Sequence, residues 1–179
     1  METDAQLIDR AVAGNNHAFG EVLRRHELPV YSYLARRAGA QAAEDLLADV
    51  WIAAYEARAS FDVHWESARP WLFGIARNVL SHHWRHQRPA HYEVGQISDP
   101  WPQVDERLTA VELADDLRTS LLALSPTQRE VLLLVVWEEL EPTEVARVLG
   151  IPPSTARSHL RRARQALLGL TDIVSRPDH

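Results

Sequence analysis

The chain has 179 residues and no cysteine, which excludes a disulfide framework, a thiolate metal site and a cysteine nucleophile. Its 25 acidic residues outweigh 19 basic ones for a net charge of −6, so attachment to nucleic acid by bulk charge alone is excluded too. All the basic residues are arginine, whose planar, forked donors suit phosphates and guanine edges. No apolar run of about 18 residues exists and the N-terminus is acidic and polar, so no membrane insertion and no signal peptide are expected, and the expected location is the cytoplasm.

Apolar residues recur at spacings of three and four almost throughout, the signature of an all-α fold. The first helix starts at a cap supplied by Thr3 or Asp4, carries Leu7, Ile8, Ala11 and Val12 on one side, and ends near Gly14. A second pattern of Phe19, Val22, Leu23 and His26 is broken at Pro29 and resumes through Val30, Tyr31 and Leu34 to Gly39. Residues 43–59 follow as an amphipathic helix with Leu47, Val50, Trp51 and Ala54 on one face and Asp45, Asp49, Ile52 and Glu56 on another. After a loop over 60–67, a long helix over 68–87 tolerates Pro70 in its first turn and turns Leu72, Ile75, Ala76, Val79 and His83 inward. These helices form a first domain, residues 1–89.

Residues 90–104 contain Gly95, Ser98, Asp99, Pro100 and Pro102 with little apolar periodicity, the composition of an acidic, proline-containing linker. A second domain, residues 105–179, opens with a stripe of Leu108, Val111, Ala114, Leu117, Leu121 and Leu124. Ser125, Pro126 and Gln128 supply a capping serine, a first-turn proline and a reciprocal glutamine, and the apolar run 131–137 behind them must be buried on nearly all sides. Next, a short helix with Val145, Ala146 and Leu149 inward ends at Gly150, and a tight turn leads into another helix with the inward seam Ala156, Leu160, Ala163 and Leu167. That is a helix-turn-helix.

The charge is unevenly spread. Two stretches, 67–92 and 146–170, hold four and five arginines without a carboxylate, and residues 96–124 between them carry six acids. On the last helix the outward face presents Ser154, Arg157, Ser158, Arg161, Arg162 and Gln165, with Thr155 at the helix start, the hydroxyls and guanidinium groups that suit a major groove and its phosphates. The helix over 68–87 presents Arg77, Asn78, Ser81, His82, Arg85 and Arg88 with Trp65, Trp71, Phe73 and Trp84 nearby. Basic groups interleaved with aromatic rings suit single strands, although rings at helical spacing are also what a core needs.

Four strings in order, residues 43–51 (AEDLLADVW), 69–78 (RPWLFGIARN), 124–132 (LSPTQREVL) and 144–164, together resemble bacterial RNA polymerase sigma factors of the extracytoplasmic-function (ECF) group of the sigma-70 family. The resemblance spans nearly the whole chain. It implies a sigma factor with core RNA polymerase and promoter DNA as partners, held in check by an anti-sigma factor. It places Asp45, Asp49 and Glu56 against basic residues of the polymerase clamp. It assigns the 60–67 loop, Trp71, Arg77 and Asn78 to the minus-ten element, to which the polar face of the same helix adds Ser81, His82, Arg85 and Arg88. It assigns Arg157, Ser158, Arg161 and Arg162 to the minus-thirty-five element, with Ser154 and Thr155 joining them at the helix start. The sequence departs from the family pattern at Pro70, where primary sigma factors carry a second wedge tryptophan, at Ala48, where a polar residue is common, and at Glu141 and Pro152, where serine caps are common.

Enzyme chemistry finds no support: phosphate loops and a nucleophile elbow are missing, and paired carboxylates such as Asp115 and Asp116 are adjacent on a helix and diverge. His82 and His86 share a helix face, but Arg85 and Arg88 oppose a cation there, so no metal and no cofactor are expected. The competing reading is a two-domain helix-turn-helix regulator that does not serve polymerase. It leaves the acidic stripe and the aromatic, basic helix without tasks.

Overall fold

In the computed structural model, residues 2–87 and 120–174 are described, with side chains to 86 and 167 respectively. The expected linker, Arg88 and the stripe from Leu108 to Leu117 therefore lie outside the described residues. Those described are helical, with no strand among them. The chain divides into two units, Met1–Pro100 and Trp101–His179.

The first unit contains α1 (Asp4–Val12), α2 (Asn16–Ala38), α3 (Ala40–Ala57), a single 3-10 turn (Arg58–Ser60) and α4 (Arg69–Gln87). Thr3 caps α1, accepting from the Gln6 N–H at 3.3 Å while the Gln6 side chain accepts from the Thr3 N–H at 2.9 Å. The alternative cap, Asp4, is buried instead. Contrary to the expected interruption, α2 runs unbroken through Pro29. The proline leaves the carbonyl one turn before it without its helical donor. Phe19, Val22 and His26 on one side and Val30, Tyr33 and Leu34 on the other continue one buried face, and packing against α1, α3 and α4 keeps the helix whole. One residue then separates α2 from α3: Gly39, at φ 88°, donates to the Ala35 carbonyl at 2.9 Å and accepts from the Ala43 N–H at 3.0 Å.

The inward faces need two adjustments. On α3 the buried stripe is Ala43, Leu46, Val50 and Ala54, with Leu47 and Trp51 half-buried at its edge. On α4 it is Leu72, Phe73, Ala76, Leu80 and Trp84, while Ile75, Val79 and His83 are only half-buried. Trp84, 2% exposed, is core.

In the second unit, Ser125 caps α5 (Pro126–Val136) with Gln128 as reciprocal partner, as the sequence dictates. Buried Arg129 sends Nε to the Leu121 carbonyl at 2.7 Å and Nη2 to those of Leu122 and Leu124 at 3.0 and 3.1 Å, so one guanidinium closes the carbonyl end of the preceding helical turn. Val131 to Leu134 are buried, but Val136 at the last turn is 59% exposed, so the apolar run is not enclosed to its end. Two further helices follow, α6 (Pro142–Leu149) and α7 (Pro153–Val174).

Candidate nucleic-acid interfaces

Gly150 sets the angle between α6 and α7. It adopts φ 66°, and the N–H groups of Gly150 and Ile151 return to the carbonyls of Arg147 and Ala146 at 3.3 and 2.9 Å, which terminates α6 within one residue. Glu144 reaches back to accept from the Glu141 N–H at 2.8 Å, so the carboxylates at that start substitute for a serine cap. The Pro152 carbonyl accepts from Thr155 and Ala156 at 2.9 and 3.1 Å, making this residue the cap of α7 with no side-chain acceptor to offer.

From that start, Ala156, Leu160 and Ala163 are buried, and Ser154, Arg157, Arg161, Arg162 and Gln165 are exposed opposite them. Thr155 and Ser158 are half-buried. A shallow depression of ≈ 240 Å³ is lined by Ser154, Thr155, Ser158, His159 and Arg162. Hydroxyls and a guanidinium converging at a helix N-terminus have the chemistry to accept an anion, and Arg157 and Arg161 stand exposed beside them. His159, absent from the sequence-based set, is half-buried in that wall; its spacing one residue before the inward Leu160 gave no cue.

In the first unit, Asn78, His82 and Arg85 are exposed along α4, with Arg77 and Ser81 half-buried beside them. The His82 and His86 Nε2 atoms are 3.0 Å apart, and Arg85 Nε donates to the Ser81 carbonyl at 3.3 Å. Trp71 is half-buried and meets buried Phe61 edge-on, with ring centroids 5.3 Å apart. Its ring is held on one side by the residue that opens the loop, which runs over 61–68 rather than the expected 60–67 because the 3-10 turn takes up Ser60 and α4 starts at Arg69. Past Phe61, Asp62, Val63 and His64 are exposed, and the His64 N–H and ring nitrogen both donate to the Asp62 carboxylate, at 3.1 and 2.8 Å.

On α3, Asp45, Asp49 and Glu56 are exposed together with Ala48 and Ile52. This acidic stripe has an apolar centre, Ile52 being 59% exposed. Asp49 also lines a depression of ≈ 490 Å³ with Leu46, Val79, His82, His83 and His86, so the α3 stripe and the α4 face meet along one wall. Among the described residues no three His, Asp or Glu side chains are grouped to hold a metal ion.

A buried cluster that the sequence did not announce lies at the foot of α4. Asp4 Oδ2 accepts from His26 Nε2 at 2.6 Å and from the Ala68 N–H at 2.9 Å, while Oδ1 accepts from Arg25 Nη1 at 3.2 Å. His26 on the apolar face of α2 was the available signal, because a buried imidazole requires a partner.

A helical unit bearing a basic face on α4 and a second unit bearing a helix-turn-helix are the parts of a two-domain DNA-binding protein. Sigma-70 region 2 matches residues 22–90, and sigma-70 region 4 matches residues 114–167. The chain is 31% identical over 159 residues to the ECF RNA polymerase sigma factor SigC of Mycobacterium tuberculosis, covering 88% of this chain and 85% of that protein. It is 30% identical over 175 residues to SigM of the same species, covering 97% and 87%. Among solved structures, CnrH in complex with the cytosolic domain of CnrY is similar with a TM-score of 0.65 at 25% identity, covering 96% of this chain and 99% of that one. RpoE of Bartonella quintana, solved with the anti-sigma factor NepR, shares the fold with a TM-score of 0.57 at 22% identity, covering 88% and 98%. The chain belongs to the ECF group of the sigma-70 family.

Proposed function

We propose that the chain is a dissociable subunit of RNA polymerase that directs promoter-specific initiation. The observation that carries this reading is the occurrence of both sigma-70 regions in order in one chain. Residues 1–89 bind polymerase and open the minus-ten element, 90–104 form the linker, and 105–179 read the minus-thirty-five element. Asp45, Asp49 and Glu56 dock on basic residues of the polymerase clamp, with Ile52 as the apolar centre of the contact. Trp71, Arg77, Asn78, Ser81, His82, Arg85 and Arg88 engage the minus-ten strand, with one ring at Trp71 where Pro70 replaces a second. Ser154, Thr155, Ser158 and Arg162 hold phosphates, and Arg157 and Arg161 reach base edges.

The protein acts by binding rather than by catalysis, in the cytoplasm where polymerase works. No helix among the described residues is long and apolar enough to cross a membrane. A separate anti-sigma protein holds it inactive, a reading supported by the likeness to CnrH, a protein seen with the cytosolic domain of CnrY. The test is transcription in vitro with purified core polymerase and a genomic template library. Specific starts that depend on this chain are expected; duplex binding without starts would favour a plain helix-turn-helix regulator.

A further inference from the structure

The helix assigned to the minus-ten element has one local side-chain acceptor at its start, Ser67 Oγ, which takes the Arg69 N–H at 3.2 Å. Leu72 N–H donates to the Ala68 carbonyl at 2.9 Å, so Ala68 holds the capping position and has no polar side chain to offer. The acceptor for the N–H of Ala68 itself comes from 64 residues away: Asp4 Oδ2 takes it at 2.9 Å. The backbone N–H of Asp4, at the start of α1 where no intrahelical partner exists, donates to the Glu66 carbonyl at 3.1 Å. Asp4 thus grips the chain twice within three residues, at Glu66 and at Ala68, and places a carboxylate at the positive end of α4. Arg25 and His26 on α2 fix the carboxylate from behind. The other foot of the loop is fixed by buried Phe61 against Trp71. Between the two feet, Asp62, Val63 and His64 stand exposed.

We infer that Asp4 is a positioning residue for the minus-ten element: from α1, and without touching DNA, it sets the shape of the loop over 61–68 and the first turn of α4. This rests on the proposed sigma function, and it gives α1 a part in strand capture that its distance in sequence conceals. Loss of Asp4 should loosen the loop and the first turn of α4 while leaving α3 and its acidic stripe in place.

The test uses the full chain, free and assembled with core polymerase, well below its melting temperature. In Asp4→Ala, amide hydrogen exchange should accelerate over residues 61–72 by more than over α3, whose protected amides follow only the global loss of stability. Affinity for core polymerase should hold, while holoenzyme binding to fork-junction DNA taken from a mapped start should weaken roughly five- to tenfold, the size of one lost helix cap. His26→Gln serves as the second variant, because it keeps the carboxylate and removes only one of its supports: it should lower the melting temperature yet disturb exchange over 61–72 and fork-junction affinity clearly less than Asp4→Ala does. Unchanged fork binding in folded Asp4→Ala, or losses in His26→Gln that match it, would overturn the inference. If the wild type directs no starts at all, the proposed function fails, and the exchange measurement alone decides whether Asp4 shapes the loop.

Discussion

Burial by itself would push the Asp4 carboxyl up, but the hydrogen bonds from His26 and the Ala68 N–H, the charge of His26 and the bond from Arg25 outweigh it and hold the group below its ordinary value. A depressed carboxylate stabilises the fold at every pH above the unfolded value, and that contribution disappears as pH falls through the lower, folded one. Asp4→Asn should therefore cost about 3 kcal/mol near neutrality, as expected for breaking a buried pair. The melting-temperature gap to wild type should close on acidification; a gap that ignores pH would show that Asp4 folds as a neutral group. On α7, Arg157→Ala and Arg161→Ala should each weaken minus-thirty-five binding by about 1–3 kcal/mol and relax discrimination at one base pair. Loss that is uniform across sequences, with a shallower salt dependence, would assign the arginine to phosphate instead.

Exposure of Asp45, Asp49 and Glu56 on one side of α3, with Leu46 and Val50 buried on the other, separates its surface from its packing. Reversing Asp45 and Asp49 to lysine should leave the unfolding free energy within about 0.5 kcal/mol of wild type and sharply reduce affinity for core polymerase. Equal affinity in a competition assay would dismiss the docking assignment. This helix was legible in the sequence because its polar and apolar residues segregate. The orientation of α4 was less so: the expected stripe and the observed one share Leu72 and Ala76, then part at Val79 against Leu80 and His83 against Trp84. Apolar residues surround that helix, so periodicity alone could not choose between stripes one residue apart. The unbroken α2 was hidden for another reason, since a local rule about proline yields to a buried face that continues on both sides. The helix-turn-helix was legible because Gly150, the seam of Ala156, Leu160 and Ala163 and the carboxylate-free outer face agree, although Val148 rather than the expected Leu149 is buried on α6 and Leu167 is only half-buried. The Asp4 cluster, by contrast, is a non-local contact that spacing along the chain cannot encode.

At the scale of the molecule, the net charge of −6 is the sum of arginine-rich stretches and an acidic remainder. Phosphate affinity depends on charges gathered on one face, while the total field opposes approach to DNA. The free chain should accordingly bind promoter duplex on the order of a hundredfold more weakly than the holoenzyme, where polymerase lets both reading elements engage together. Comparable affinities in a filter-binding or anisotropy titration would contradict this. The depression walled by Asp49 and His82 also joins two tasks in one place. A residue proposed for polymerase and one proposed for promoter line the same depression, so their substitutions should not sum. In a double-mutant cycle of Asp49→Ala and His82→Ala, the coupling in open-complex formation should reach roughly 0.5 kcal/mol or more. Arriving at polymerase and letting go of the duplex would then be parts of one thermodynamic transaction rather than two consecutive ones.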